Sequence, residues 1–293
     1  MKEIQGLGTA LITPFKADKS VDYEALKRLL DTQLTGDVDY IVVLGTTGEA
    51  ATMTAAEKQE VRRFIVDYTR QTAMSNHQSP IPLILGVGGN NTAQLISDIE
   101  SMREELKRDY VAILSVCPYY NKPSQEGLFQ HFCAVAEASP IPVILYNVPG
   151  RTGVNLLPET VLRIYGAHPD KICGIKEASG NVEQIKHLLA ISHSPLAVIS
   201  GDDGIACELM EAGAAGLISV ASNAFAKDFH KIVHEKDAQM QDKYAEMIRL
   251  LFVEGNPAGI KTVLAQKGII GNYLRLPLVP NSDKVQQQIA QLL

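Results

Sequence analysis

The chain reads as an α/β protein, a (β/α)8 TIM barrel with a C-terminal helical extension, on three observations. Eight short apolar runs of strand length recur along its 293 residues. They are apolar throughout rather than alternating, which suits parallel strands covered on both faces. Each is followed by a stretch long enough for a right-handed crossover, most with apolar residues at helical spacing, and eight such units in series make a barrel. A doubly wound open sheet is the rival architecture, since eight strands can also be laid flat.

The first run, GTALITP from residue 8, precedes the helical pattern YEALKRLLDTQL. YIVVLG from 40 precedes AAEKQEVRRFIVDYT, LILGV from 83 precedes TAQLISDIESMREEL, and YVAILSV from 110 precedes EGLFQHFCAVAEA. PVILYN from 142 leads to a helix predicted to open at Pro158, a first-turn position that tolerates a missing N–H. ICGIK from 172, LAVISG from 196 and GLISV from 216 complete the eight. The residues beyond GLISV are expected to be wholly helical: AFAKDFHKIVHEKDAQMQDKYAEMIRLLF, then a helix opening at Asn256 and Pro257 and closing at Gly268. Nothing reads as a linker, so residues 1–222 are taken as the barrel core and 223–293 as its last helix plus an extension packed on it.

Composition narrows the function classes. Twenty-seven Lys plus Arg against 33 Asp plus Glu give a formal charge of −6, with no basic footprint for nucleic acid or an anionic membrane. The start MKEIQGLGTAL lacks the pattern of a signal peptide, no window approaches a membrane span, and a cytoplasmic protein is expected. The cysteines Cys117, Cys133, Cys173 and Cys207 are widely spaced without a CxxC pair, so they read as reduced thiols. His230 and His234 share a helix face, but no Glu follows His230 as in HExxH; the pair reads as a solvated face rather than a metal site.

In a barrel, catalytic groups come from the C-terminal ends of strands and the loops after them. Those positions here carry GTTGE (45–49), CPYYNKP (117–123), YNVPGRTG (146–153), Lys176 with Glu177, and SGDDG (200–204). Lys176 has two readings. It can snorkel to Glu177 or Asp202, or its amine can attack a carbonyl, since a lysine drawn partly out of water gives up its proton more readily. Tyr146 ends the neighbouring strand, either as amphipathic packing or as a phenol that gives and takes protons. Thr46 and Thr47 supply hydroxyls, or make an ordinary turn capping the next helix. Tyr119 and Tyr120 read as an aromatic patch at a subunit contact, and Arg151 as a solvated charge or a bidentate carboxylate clamp. GVGGNN (86–91) lacks the full GxGxxG pattern and reads as the turn after strand three, while Asp202 and Asp203 would repel a phosphate.

The motifs GTTGE, PYYNKPSQEG, YNVPGRTG, GIKEASG, SGDDG and GLISVASN, in this order and spacing, closely resemble the dihydrodipicolinate synthase family, from GLGTALITPF to LRLPLVP. The resemblance implies a metal-independent, cofactor-free class I lyase that condenses pyruvate with L-aspartate 4-semialdehyde in lysine and diaminopimelate synthesis. It implies that Lys176 forms the Schiff base and Tyr146 shuttles protons, with Thr46 and Tyr120 completing the relay and Tyr120 reaching a partner subunit's site. It further implies that Thr47 and the backbone at Ile218 contact pyruvate, that Gly201 lines the pocket, that Arg151 receives the aldehyde's carboxylate, and that the assembly is a homotetramer, a dimer of dimers. Relatives such as N-acetylneuraminate lyase and the 2-keto-3-deoxy sugar acid aldolases typically lack this arginine and prefer a Ser-Thr pair; a non-catalytic acid-binding barrel would have no reason to keep the relay. One departure stands out. Where lysine-inhibited members carry two histidines and a glutamate, this chain has Ala55, Lys58 and Gln94, so weak or absent lysine feedback is expected.

Overall fold

The computed structural model describes residues 4–192 and 196–293; the rest of the expected 1–222 barrel range lies outside them. Eight strands close into a barrel in chain order: β1 (Gly6–Ala10), β2 (Tyr40–Val43), β3 (Leu83–Val87), β4 (Ala112–Val116), β5 (Val143–Asn147), β6 (Ile172–Glu177), β7 (Ala197–Ser200) and β8 (Gly216–Ser219). Each predicted run overlaps one of them, though β1 begins two residues before GTALITP and β6 ends one residue after ICGIK. By compactness the chain falls into two units, residues 1–6 with 82–218 and residues 7–81 with 219–293.

In the first unit β3 to β8 are successive parallel neighbours. Ile113, Val143, Ile144, Leu145, Ile175 and Ile199 are fully buried, which is why their runs carry no polar alternation. Around them lie α3 (Thr92–Ser101), α4 (Arg103–Asp109), α5 (Gln125–Ala138), α6 (Pro149–Thr152), α7 (Pro158–Ala167), α8 (Val182–Ile191) and α9 (Ala206–Glu211). GVGGNN does make the turn after β3, where Asn91 caps α3 by accepting from the Gln94 N–H at 3.3 Å. The run expected as one helix from Thr92 divides at Met102 (φ −99°, ψ 9°). There the Ser101 hydroxyl donates to the Asp98 carbonyl at 2.7 Å, a local bond that competes with the helical ladder.

A register shift between Val143 and Ile144 sets the geometry of β5 and β6. Val143 stands opposite Ile172, but Ile144 stands opposite Gly174, so Cys173 is an extra residue in β6. The Cys173 thiol donates to the Val143 carbonyl at 3.4 Å. From there the ladder runs Leu145–Ile175, Tyr146–Lys176 and Asn147–Glu177.

In the second unit β1 pairs with β2, Gly8 opposite Tyr40. A side chain on Gly8 would force the buried Tyr40 ring to move, since a methyl group would lie 2.1 Å from it. The helices are α1 (Tyr23–Leu34), α2 (Ala55–Ser75), α10 (Ser222–His234), α11 (Ala238–Phe252), α12 (Ala258–Gln266) and α13 (Asp283–Ala290). α1 opens at Asp22, whose carboxylate accepts from the Ala25 N–H at 3.0 Å, and buries Ala25, Leu26, Leu29 and Leu30 at helical spacing. α2 opens at a capping box of Thr54 and Glu57, so GTTGE is not its cap. Two expectations are corrected here. The stretch from Ala224 to Phe252 is two helices, because Lys236 turns left-handed (φ 55°) and Asp237 caps a new start. Residues 267–282 are not helical: α12 stops before Gly268, left-handed at φ 71°, and Pro277 and Pro280 further on have no N–H to donate.

Candidate active site

The chemistry of the first unit centres on the ends of β5 and β6. Tyr146 and Lys176 hold the same register position on adjacent strands, and the Lys176 amine lies 4.5 Å from the centre of the Tyr146 ring. They are 7% and 6% exposed. Side chains alternate along a strand, so Asn147 and Glu177 take the other face. There the Asn147 amide donates to both Glu177 oxygens at 3.1 and 3.0 Å, the Ser179 N–H donates to Oε1 at 2.9 Å, and the Gln184 amide donates to Oε2 at 3.2 Å. Asn155 ties Gln184 to Asn147. Burial pushes the Glu177 carboxyl above its ordinary value while these donors oppose the shift. Asp202 is also engaged, accepting from the Gly204 N–H at 2.8 Å. Both carboxylates weighed as snorkelling partners of Lys176 are thus committed to other groups.

Gly201 follows β7 directly, and a methyl group on it would stand 2.8 Å from Lys176 Cε and 2.6 Å from the Ala178 Cβ. The residue must be glycine for the lysine stem to lie where it does. Ile218, 1% exposed, belongs to β8, whose Leu217 pairs with Ser200. Arg151 is exposed in the short helix α6, held by Thr152, whose buried hydroxyl donates to the Val148 and Val154 carbonyls at 3.2 and 3.0 Å. Tyr120 is not buried with these groups; it is 88% exposed, and its backbone is left-handed at φ 74°. For a tyrosine that conformation is strained, and the Tyr120 N–H donates to the Thr152 carbonyl at 3.3 Å, joining the Tyr120 loop to the Arg151 turn.

In the second unit Thr46 and Thr47 form a single 3-10 turn, Thr46–Gly48, after β2. Thr46 is exposed, whereas Thr47 is buried and accepts from the Asn256 amide at 2.9 Å. The turn is anchored on both sides. The Thr13 hydroxyl donates to the Gly48 carbonyl at 2.7 Å, and Glu49, left-handed at φ 53°, forms an ion pair with Lys261. Lys261 is fully buried, and burial pulls its amine down to about 8, with Glu49 opposing the shift. These supports escaped sequence reasoning. Lys261 in the apolar AGIKTVL gave a faint signal, but Asn147, Asn155, Gln184 and Asn256 gave none, because an isolated amide looks the same on a surface.

Residues 3–293 match the Dihydrodipicolinate synthetase family. The 4-hydroxy-tetrahydrodipicolinate synthase of Parabacteroides distasonis is 46% identical over 297 residues, covering 99% of this chain and 96% of its own. The chloride-inhibited dihydrodipicolinate synthase of Acinetobacter baumannii, solved in complex with pyruvate, superposes with a TM-score of 0.89 at 37% identity, covering 99% and 97% of the two chains. The lysine-bound enzyme of Cyanidioschyzon merolae gives a TM-score of 0.89 at 33% identity, with the same coverage.

Proposed function

Since the chain belongs to the dihydrodipicolinate synthetase family, we propose that it condenses pyruvate with L-aspartate 4-semialdehyde through a Schiff base on Lys176. The neutral amine adds to the ketone carbon of pyruvate, and loss of water from the carbinolamine leaves an iminium. The iminium draws electrons from a methyl C–H bond, so the proton departs and an enamine forms. The enamine carbon attacks the aldehyde, and the substrate's amine then closes the ring by displacing Lys176. Tyr146 gives and takes the protons of these steps, with Thr46 and Tyr120 as further relay hydroxyls. Thr47 and the backbone at Ile218 hold pyruvate, Gly201 leaves room for it, and Arg151 clamps the carboxylate of the second substrate.

The observation that carries this reading is the buried register pair, a lysine amine set against a phenol, with the lysine stem packed against Gly201. Borohydride reduction in the presence of pyruvate, followed by peptide mass mapping, tests it. The expected adduct is on Lys176; an adduct elsewhere, or none, overturns the mechanism, and a coupled assay with aspartate semialdehyde then tests the second substrate.

Two finer readings follow from the same membership. Tyr120, exposed and strained, is proposed to complete the relay of a second copy within a dimer of dimers, in the cytoplasm. Sedimentation at micromolar concentration showing only monomer would sink that assembly. Lysine feedback is proposed to be weak, because Ala55, Lys58 and Gln94 supply no acidic contact, Lys58 adds a positive charge where a cationic ligand would sit, and Gln94 spends its amide on Asp98 at 2.8 Å. Half-inhibition below about 1 mM lysine, worth roughly 4 kcal/mol, would contradict it.

A further inference from the structure

We propose that Asp39, His230 and His234 form a binding site for a divalent transition-metal ion of the Zn2+ class, separate from the Schiff-base chemistry. The two imidazoles lie one turn apart on α10 and stack, with ring centres 4.2 Å apart and 28° between planes. Their spacing alone reads as a solvated face; Asp39, far away in sequence and just before β2, is what the fold adds. One ligand atom from each of the three lies within 4.8 Å of the other two. Nitrogen and oxygen ligands bind Zn2+ at about 2.0–2.2 Å, so small side-chain rotations would draw the three atoms into a single coordination sphere.

The surroundings of the three side chains match those of ligands. His230 Nδ1 lies 2.7 Å from the Asp37 carbonyl, which can only accept, so Nδ1 carries a hydrogen and Nε2 is the ring atom left to ligate an ion. Asp37 adopts a left-handed backbone (φ 57°) as it presents that carbonyl. The Asp39 carboxylate is oriented by the Leu7 N–H at 2.6 Å and lies 2.7 Å from His234 Nε2. That short contact holds a hydrogen between nitrogen and oxygen, and a cation takes its place. His234 is the last residue of α10, where the carbonyl ends of the helix favour positive charge. The His234 and Asp39 side chains are 40% and 34% exposed, so an ion can enter from solution.

Two imidazoles and one carboxylate, with water in the fourth position, suit Zn2+ over Mg2+ or Ca2+, which prefer all-oxygen shells. The site sits at the N-terminal end of β2, whereas Thr46 and Thr47 follow its C-terminal end. A bound ion would therefore fasten the end of α10 to the segment entering β2 and stabilise the fold without touching the reaction.

The test uses full-length protein stripped of metal, titrated with Zn2+ by calorimetry and with Co2+ by its d–d absorption, beside the variants His230→Gln with His234→Gln and His234→Ala alone. The four remaining described histidines stay in both variants as internal controls. The expected result is one ion per chain with micromolar affinity, weakened at least ~10-fold in each variant, and a Zn2+-dependent rise in Tm confined to the parent. Pyruvate trapping on Lys176 is expected to be the same with and without the ion. Equal binding by parent and variants, or no saturable binding by the parent, would overturn the proposal.

Discussion

Lys176 and Lys261 are both withdrawn from water, yet Lys261 has a carboxylate beside it and Lys176 has the face of a phenol. The difference separates a lysine that holds the fold from one that can react. Lys176→Arg keeps the charge but has no amine able to form an imine, so pyruvate trapping and condensation are expected to vanish while the folded far-UV signal stays. Tyr146→Phe keeps the ring and removes the proton carrier; kcat is expected to fall by about 10²–10⁴-fold, with borohydride still able to trap an adduct. Were the Phe variant to keep full activity, the phenol would have no part in proton transfer. Glu49→Ala leaves the Lys261 amine buried without its carboxylate, and urea unfolding is expected to show a loss of about 3 kcal/mol or more.

At the scale of the element, β6 does more than supply Lys176. Gly174 lies where a methyl group would stand 2.7 Å from the Ala197 carbonyl and 3.2 Å from its Cβ, backbone that cannot swing aside. Gly174→Ala is expected to cost about 1–3 kcal/mol, read as a lowered Tm, because β6 and β7 would have to separate. The eight strands were legible in the sequence because strands covered on both faces leave continuous apolar runs. The extra residue at Cys173 was not: Cys-Gly within such a run carries no mark of a bulge, and only the partner strand shows which residue is supernumerary. The break at Met102 was hidden for a related reason, since helical spacing continues across it. Strand-end residues were legible because the barrel dictates where to look, whereas the amides around Glu177 and the Asp39 cluster join residues that only the fold brings together.

Across the whole molecule, the buried groups set how stability varies with acid. Burial lowers His131 to about 4 from 6.5, so the folded imidazole refuses a proton that the unfolded one accepts. Its contribution is intact above pH 6.5 and is lost as pH falls toward 4, by on the order of 2–3 kcal/mol. Glu57, held down to about 2 by Arg275, adds a second loss as pH falls through 4.5 toward 2. Glu177, raised by burial, works in the opposite sense, stabilising most below its ordinary value. Urea midpoints measured against pH should decline below 6.5, and His131→Gln should flatten that limb; an unchanged slope would assign the decline to other groups. The bulge and alternation of β6 also bear on how such a chain can change its length. Substitutions there alter one side chain in place, but a residue gained or lost between Gly174 and Lys176 rotates everything after it by half a period and exchanges the amine for its neighbour. β6 behaves like a reading frame, so related chains should vary in length in their loops and hardly at all between Cys173 and Glu177.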